Sequence, residues 1–217
     1  MSPPGALASD VIPTTYSFRV PRPELHPTDS ILDAARGVVL DQGLGAATVA
    51  AIAASSGAPV GSIYHRFGSV DDLLAEMWIR AVRRSQESFT RAAEHPDALE
   101  AAVGAGLSVY DFCAEHPADG RLLISYRPED LASARIDPKQ RAGLARLNDP
   151  VAAVVKELAR RLYGRASRTS LDQVLTVVFD LPHGAVRRPL ASGEKLLPQR
   201  RDSLEAALRA VLADASR

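Results

Sequence analysis

Residues Ser55 to Leu74 read SSGAPVGSIYHRFGSVDDLL. Gly57 and Pro59 break whatever precedes them, Phe67-Gly68 closes the segment that follows, and Ser69 opens another. The piece between the breaks, about Val60 to Arg66, is barely two helical turns long. A helix that short does not survive alone in water, because nucleation fixes several residues for one hydrogen bond. It must lean on neighbours.

Those neighbours are legible on both sides. Upstream, TVAAIAAS offers Thr48 as an N-cap and puts Val49, Ile52 and Ala53 on one face. Before it, Ile31, Leu32, Ala35, Val38 and Val39 recur at helical spacing after Asp29 or Ser30, and Gly43 supplies a stop. Downstream, Ser69 begins SVDD, which approximates a capping box with Asp72 at its third helical position and places negative charge at a helix start. Leu73, Leu74, Met77, Trp78, Ala81 and Val82 then form the stripe of a long helix reaching about Glu94.

Three short helices with a glycine turn at Gly57 make a tri-helical helix-turn-helix, packed through Val39, Leu44, Val49, Ile52, Ile63, Phe67 and Leu73. Its third helix spends Ile63 and Phe67 on the inside. The opposite side is left for a groove, and an α-helix fits the major groove of DNA. Tyr64 and His65 can hydrogen-bond phosphates and fix register, while Gly61 admits close backbone approach.

At this length of pattern, TVAAIAASSGAPVGSIYHRFGSVDDLL resembles the DNA-binding domain of the TetR (tetracycline-repressor-like) family. Thr48, Ile52, Ala53, Gly57, Gly61, Tyr64, Phe67, Ser69 and Leu73 carry the resemblance, with Ser62 and Ile63 as mild variants. With the preceding helix it covers about Asp29 to Met77. Pro59, Val60 and Val70 depart from it, standing where the family has Ser, Lys or Arg, and Lys. The resemblance implies a transcriptional regulator, a homodimer that presents two reading helices to a palindromic DNA operator. It further implies a repressor relieved by a small-molecule effector. It places Val60, Gly61, Ser62 and Tyr64 at the groove, and Thr48, Tyr64, His65 and Ser69 at phosphates.

Charge complicates that expectation. Between Asp29 and Leu74 the basic residues are Arg36 and Arg66, against Asp29, Asp33, Asp41, Asp71 and Asp72, a net charge of −3. Either neutral donors and arginines of the N-terminal arm (Arg19, Arg22) carry the affinity, or the chain is a helical adaptor with weak, degenerate DNA binding.

The rest of the chain reads as helices broken at prolines: roughly Asp97–His116, Ala118–Tyr126, Pro138–Gly164 with a kink at Pro150, Thr169–Leu181 and Pro198–Ala215. Period-two alternation is missing over any useful length, so the fold class is all-α, a helix-turn-helix domain followed by a larger helical bundle. The expected divisions are an extended or flexible arm over 1–27, which holds six prolines, a DNA-binding domain over 28–74, and a ligand-binding and dimerisation domain over 75–217. Leu171, Val174, Leu175, Val178 and Phe179 form one late stripe, and Leu204, Ala207, Leu208, Val211 and Leu212 another. Core within one subunit accounts for both. The resemblance implies instead a four-helix interface between two subunits.

Trp78, Tyr110, Cys113, Tyr126, Phe179 and His183 are candidates for the wall of an effector cavity, since Tyr and Trp combine apolar area with a hydrogen-bonding tip. Ordinary bundle core is the competing account. Cys113, the single cysteine, excludes an intramolecular disulfide and reads as an inert buried thiol. The five histidines share no metal-ligand spacing, so neither metal nor cofactor is expected. GSIYH and GLSVY lack the nucleophile-elbow pattern and ASGEKLLP lacks phosphate-loop spacing, so catalysis is not expected either.

Acidic and basic residues balance at 26 each, and all but three of the basic residues are Arg, which suggests a GC-rich bacterial genome. No basic start precedes an apolar run at the N-terminus, and no stretch is apolar enough to span a bilayer. The expectation is a cytoplasmic protein.

Overall fold

The computed structural model describes residues 27–127, 130 and 138–214; the expected arm over 1–27, with its arginines, lies outside them apart from Pro27. The described residues are helical with no strands. We number the helices α1 (Thr28–Gln42), α2 (Val49–Ser56), α3 (Val60–Phe67), α4 (Val70–Ala92), α5 (Ala98–Glu115), α6 (Pro117–Ser125), α7 (Pro138–Arg146), α8 (Asp149–Tyr163), α9 (Arg168–Leu175), α10 (Leu181–Ala191) and α11 (Pro198–Asp214).

Local chemistry sets the first boundaries. Thr48 Oγ1 accepts the Ala51 amide at 3.1 Å and starts α2. Gly57 ends it in the left-handed region, at φ 71°, where a side chain would be strained. Pro59 stands just outside α3 as its N-cap, one position earlier than a first-turn proline. Ser69 Oγ accepts the Asp72 amide at 3.0 Å, as the sequence suggests, but the second half of the box is different. Instead of reaching back to the backbone, the Asp72 carboxylate takes the Ser69 hydroxyl proton at 2.6 Å.

Two apolar cores organise the chain. One gathers α1, α2, α3 and the first half of α4, with Leu122 of α6 and Leu147 added. Every residue expected to pack the helix-turn-helix is buried there except Leu44, which is half-buried. The other core gathers α5, α8, α9, α10 and α11 around Phe89 of α4. α4 is 23 residues long, about 34 Å, and is shared: Leu73 to Ala81 serve the first core and Phe89 the second. α5 is closely approached at Gly106, where a Cβ would lie 2.8 Å from Leu208 Cδ1 of α11 and 2.9 Å from the carbonyl oxygen of Val177, in the segment between α9 and α10.

The late helices run differently from expectation. Pro182 reads as a stop, yet the chain stays helical through it. Thr176–Asp180 widens into a π turn, in which the Leu181 amide donates to the Thr176 carbonyl, five residues back. The wider turn accommodates a proline that has no N–H to give, and α10 continues to Ala191 with Pro189 inside it. Pro150 stands in the first turn of α8, after a turn at Leu147-Asn148, rather than kinking one long helix.

Candidate nucleic-acid interface

α3 is two-faced. Ile63 and Phe67 are buried, while Val60 is 45% and Tyr64 51% exposed. Gly61 and His65 are exposed beside them, so positions 60, 61, 64 and 65 form one outward face, and Ser62 is half-buried at its edge. A Cβ at Gly61 would meet nothing within 4 Å, so the helix surface there is open. Val60 and Tyr64 give this helix of eight residues an outward face with apolar area available for contact.

Thr48 is exposed at the start of α2; its hydroxyl oxygen is committed to Ala51 but its proton is free to donate. Ser69 starts α4 half-buried, with its proton spent on Asp72. It offers an anion the helix end rather than its hydroxyl.

Two carboxylates of α1, Asp29 and Asp33, are paired with arginines. Asp29 and Asp33 bind Arg80 of α4, Asp33 binds Arg36 at 3.2 Å, and Asp29 lies 3.8 Å from Arg84. Arg36 and Arg84 both reach Asp119 at the start of α6, the latter at 3.3 Å. Arg36, Asp33, Arg80, Asp29, Arg84 and Asp119 therefore close a ring of alternating charge across α1, α4 and α6. Its net charge is zero. The hydrogen bond from Arg80 holds the Asp29 carboxyl below its ordinary value. The ring thus takes up Asp29 and Asp33, two of the five carboxylates counted over 29–74, at the cost of Arg36.

Behind the ring lies an open cavity of about 550 Å³ between α4, α6, α8 and α9. Val82, Leu123, Val151, Val155, Leu171 and Phe179 supply its apolar wall. Of the residues singled out as effector contacts, Phe179 lines it. Its ring stacks between Phe89 at 5.3 Å and His183 at 5.8 Å, with His183 on the exposed side. Trp78 and Tyr126 sit instead at the seam of α1, α4 and α6: the indole N–H donates to the Tyr126 carbonyl and the Tyr126 hydroxyl to the Val39 carbonyl, both at 3.3 Å. The Tyr110 hydroxyl donates to the Leu197 carbonyl at 2.8 Å. Cys113 lines a separate cavity with Arg121 and Lys195, and burial pushes its thiol up to about 12. The six candidates do not converge. The cavity wall escaped sequence reading because it is aliphatic, and Val82, Leu123 or Val155 at helical spacing looks like any core position.

No group of three or more His, Cys, Asp or Glu among the described residues is arranged to hold a metal. No helix among them is long and apolar enough to cross a membrane.

A tri-helical unit presenting a short amphipathic helix, with a larger helical bundle behind it, defines a helix-turn-helix DNA-binding regulator. Residues 31–77 match the family described as bacterial regulatory proteins, tetR family. A Mycobacterium tuberculosis strain H37Rv protein named as an uncharacterized HTH-type transcriptional regulator is 26% identical over 187 residues, 84% of this chain and 92% of the relative. A TetR-like transcriptional regulator from Rhodococcus sp. RHA1 superposes with a TM-score of 0.62 at 21% identity, over 85% of this chain and 92% of that one. The fatty acid degradation regulator FadR from Bacillus halodurans superposes at 0.64 with 17% identity, over 86% and 97%. Residues 31–77 thus form a TetR-family DNA-binding domain, and the chain as a whole shares the fold of these TetR-like regulators.

Proposed function

We propose that the protein is a homodimeric repressor that binds a palindromic operator through α3 and releases it when a small molecule occupies the cavity behind α6. The observation that carries the DNA half is the exposed face of α3. Val60, Gly61, Ser62 and Tyr64 read the groove, and Thr48, Tyr64, His65 and the Ser69 helix start hold phosphates. The stretch 28–74 acts as the DNA-binding unit and 75–217 as the unit that dimerises and responds.

The effector half follows from position. Leu123 lines the cavity, and Asp119, one turn earlier on α6, holds Arg36 of α1. A ligand bearing on Leu123 bears on the ring. Release then requires that the ligand favour an arrangement in which the two reading helices no longer match the operator.

Titrating the full-length protein against the DNA flanking its own gene, beside a scrambled duplex of equal length, tests the reading. Saturable binding to the flank alone supports it. Equal, feeble binding to both would favour a helical adaptor.

A further inference from the structure

The polar groups on the cavity wall are few and one-sided. Among the described residues that line it, Lys156 of α8 is the ionisable one, and no Asp or Glu joins it. Lys156 is exposed and has no ion-pair partner among the described residues, whereas Val155 beside it is buried, so the ammonium stands at the mouth and the apolar wall lies inward. The nearest carboxylate in sequence, Glu157, is paired with Arg160 at 3.4 Å.

The two amides of the wall partly consume one another. Gln86 Nε2 donates to the Leu147 carbonyl at 2.8 Å and to Asn148 Oδ1 at 3.3 Å. That leaves Asn148 with its N–H groups, next to the Ser85 hydroxyl and the Lys156 ammonium, as unspent donors on the wall. A cation entering here would find Gln86 Oε1 and a hydroxyl, with no formal negative charge to offset its lost hydration. An anion at the mouth would find an ammonium and amide donors.

We infer that the effector is a monoanionic amphiphile, an apolar body seated against Val82, Leu123, Val155 and Phe179 with its acid group at Lys156. This rests on the reading of the cavity as the effector site. A volume of about 550 Å³ suits a body of roughly drug-like size.

Isothermal titration of the full-length protein with decanoate, decanol and decylamine, each below its micellar concentration, separates head group from tail. Wild type is expected to bind decanoate about tenfold or more tightly than decanol, as for one hydrogen bond to a charged group, and decylamine weakest. Lys156→Met should remove the advantage of decanoate and leave decanol unchanged, and Lys156→Arg should restore it. Ala152→Phe, at the exposed mouth, should weaken all three. Equal binding of the three probes, tightest binding of the amine, or an undiminished decanoate preference in Lys156→Met would overturn the anionic class and leave the cavity standing. Failure of every probe to bind, or full binding by Ala152→Phe, would overturn the cavity reading and the inference with it.

Discussion

Asp119 and Arg36 are 83 residues apart in sequence and share a hydrogen-bonded ion pair in which the carboxylate is 2% exposed. The pair joins the first turn of α6 to the middle of α1, and Arg84 completes the neutralisation of Asp119 from α4. A buried carboxylate flanked by two arginines contributes less to net stability than its geometry suggests, because desolvation offsets the attraction. Removing one partner is another matter.

Asp119→Ala should lower unfolding free energy by about 2–3 kcal/mol, below the range for fully buried pairs because Arg36 and Arg84 retain some water. Urea denaturation measures it. Arg36→Met combined with Asp119→Leu should cost less than the two single changes summed, and additive costs would show that the pair is not coupled.

Acid should act on the same ring. Arg80 lowers the Asp29 pKa from its ordinary 3.8, so the folded state binds the proton less readily than the unfolded chain. Stability from this group is full above about pH 5 and is lost as pH falls through 3.8 toward the lower folded value. Arg80→Met should flatten that part of a stability–pH profile. An unchanged acid slope would remove Asp29 as a contributor.

Tyr64→Phe should weaken operator binding by about 1–2 kcal/mol, the worth of a hydrogen bond to a charged phosphate, with the melting temperature unmoved because the side chain is exposed. Electrophoretic or fluorescence titration reads the loss. With few cations near α3, the log–log salt dependence of binding should be no steeper than about −5, the value for six phosphates per dimer.

Gly106→Ala should destabilise by about 1–3 kcal/mol, because the new methyl meets the Val177 carbonyl, backbone that cannot rotate away. Differential scanning calorimetry would show the drop. An unshifted transition would mean that α5 and the π turn separate freely.

Cys113 should resist thiol reagents in the native protein at neutral pH, since it is buried and its thiol stands near 12. Reaction with a chromogenic disulfide should become fast only in denaturant.

The short helix α3 was legible because its determinants are local: Gly57 and Gly68 punctuate it, Thr48 and Ser69 cap its neighbours, and Ile63 with Phe67 marks its inner face. The ring was not, because Asp119 stands at a helix start where an acidic residue needs no further reason, and its partners come from α1 and α4. Two of the five carboxylates counted against DNA binding, Asp29 and Asp33, belong to that ring, which a sum over the sequence does not show. Pro182 misled for the opposite reason: its local meaning is a stop, and the π turn before it is a tertiary accommodation that no dipeptide announces.

Trp78 is the single tryptophan, and its N–H rests on the Tyr126 carbonyl where α4 meets the end of α6. Tryptophan emission shifts with the polarity and hydrogen bonding of the indole, so emission excited beyond the tyrosine absorption band comes from one place in this chain. The molecule carries its own optical reporter at the seam between the helix-turn-helix and the bundle. Opening of that seam, by an added compound, by DNA or by a broken ion pair, would register as a change in colour without any label.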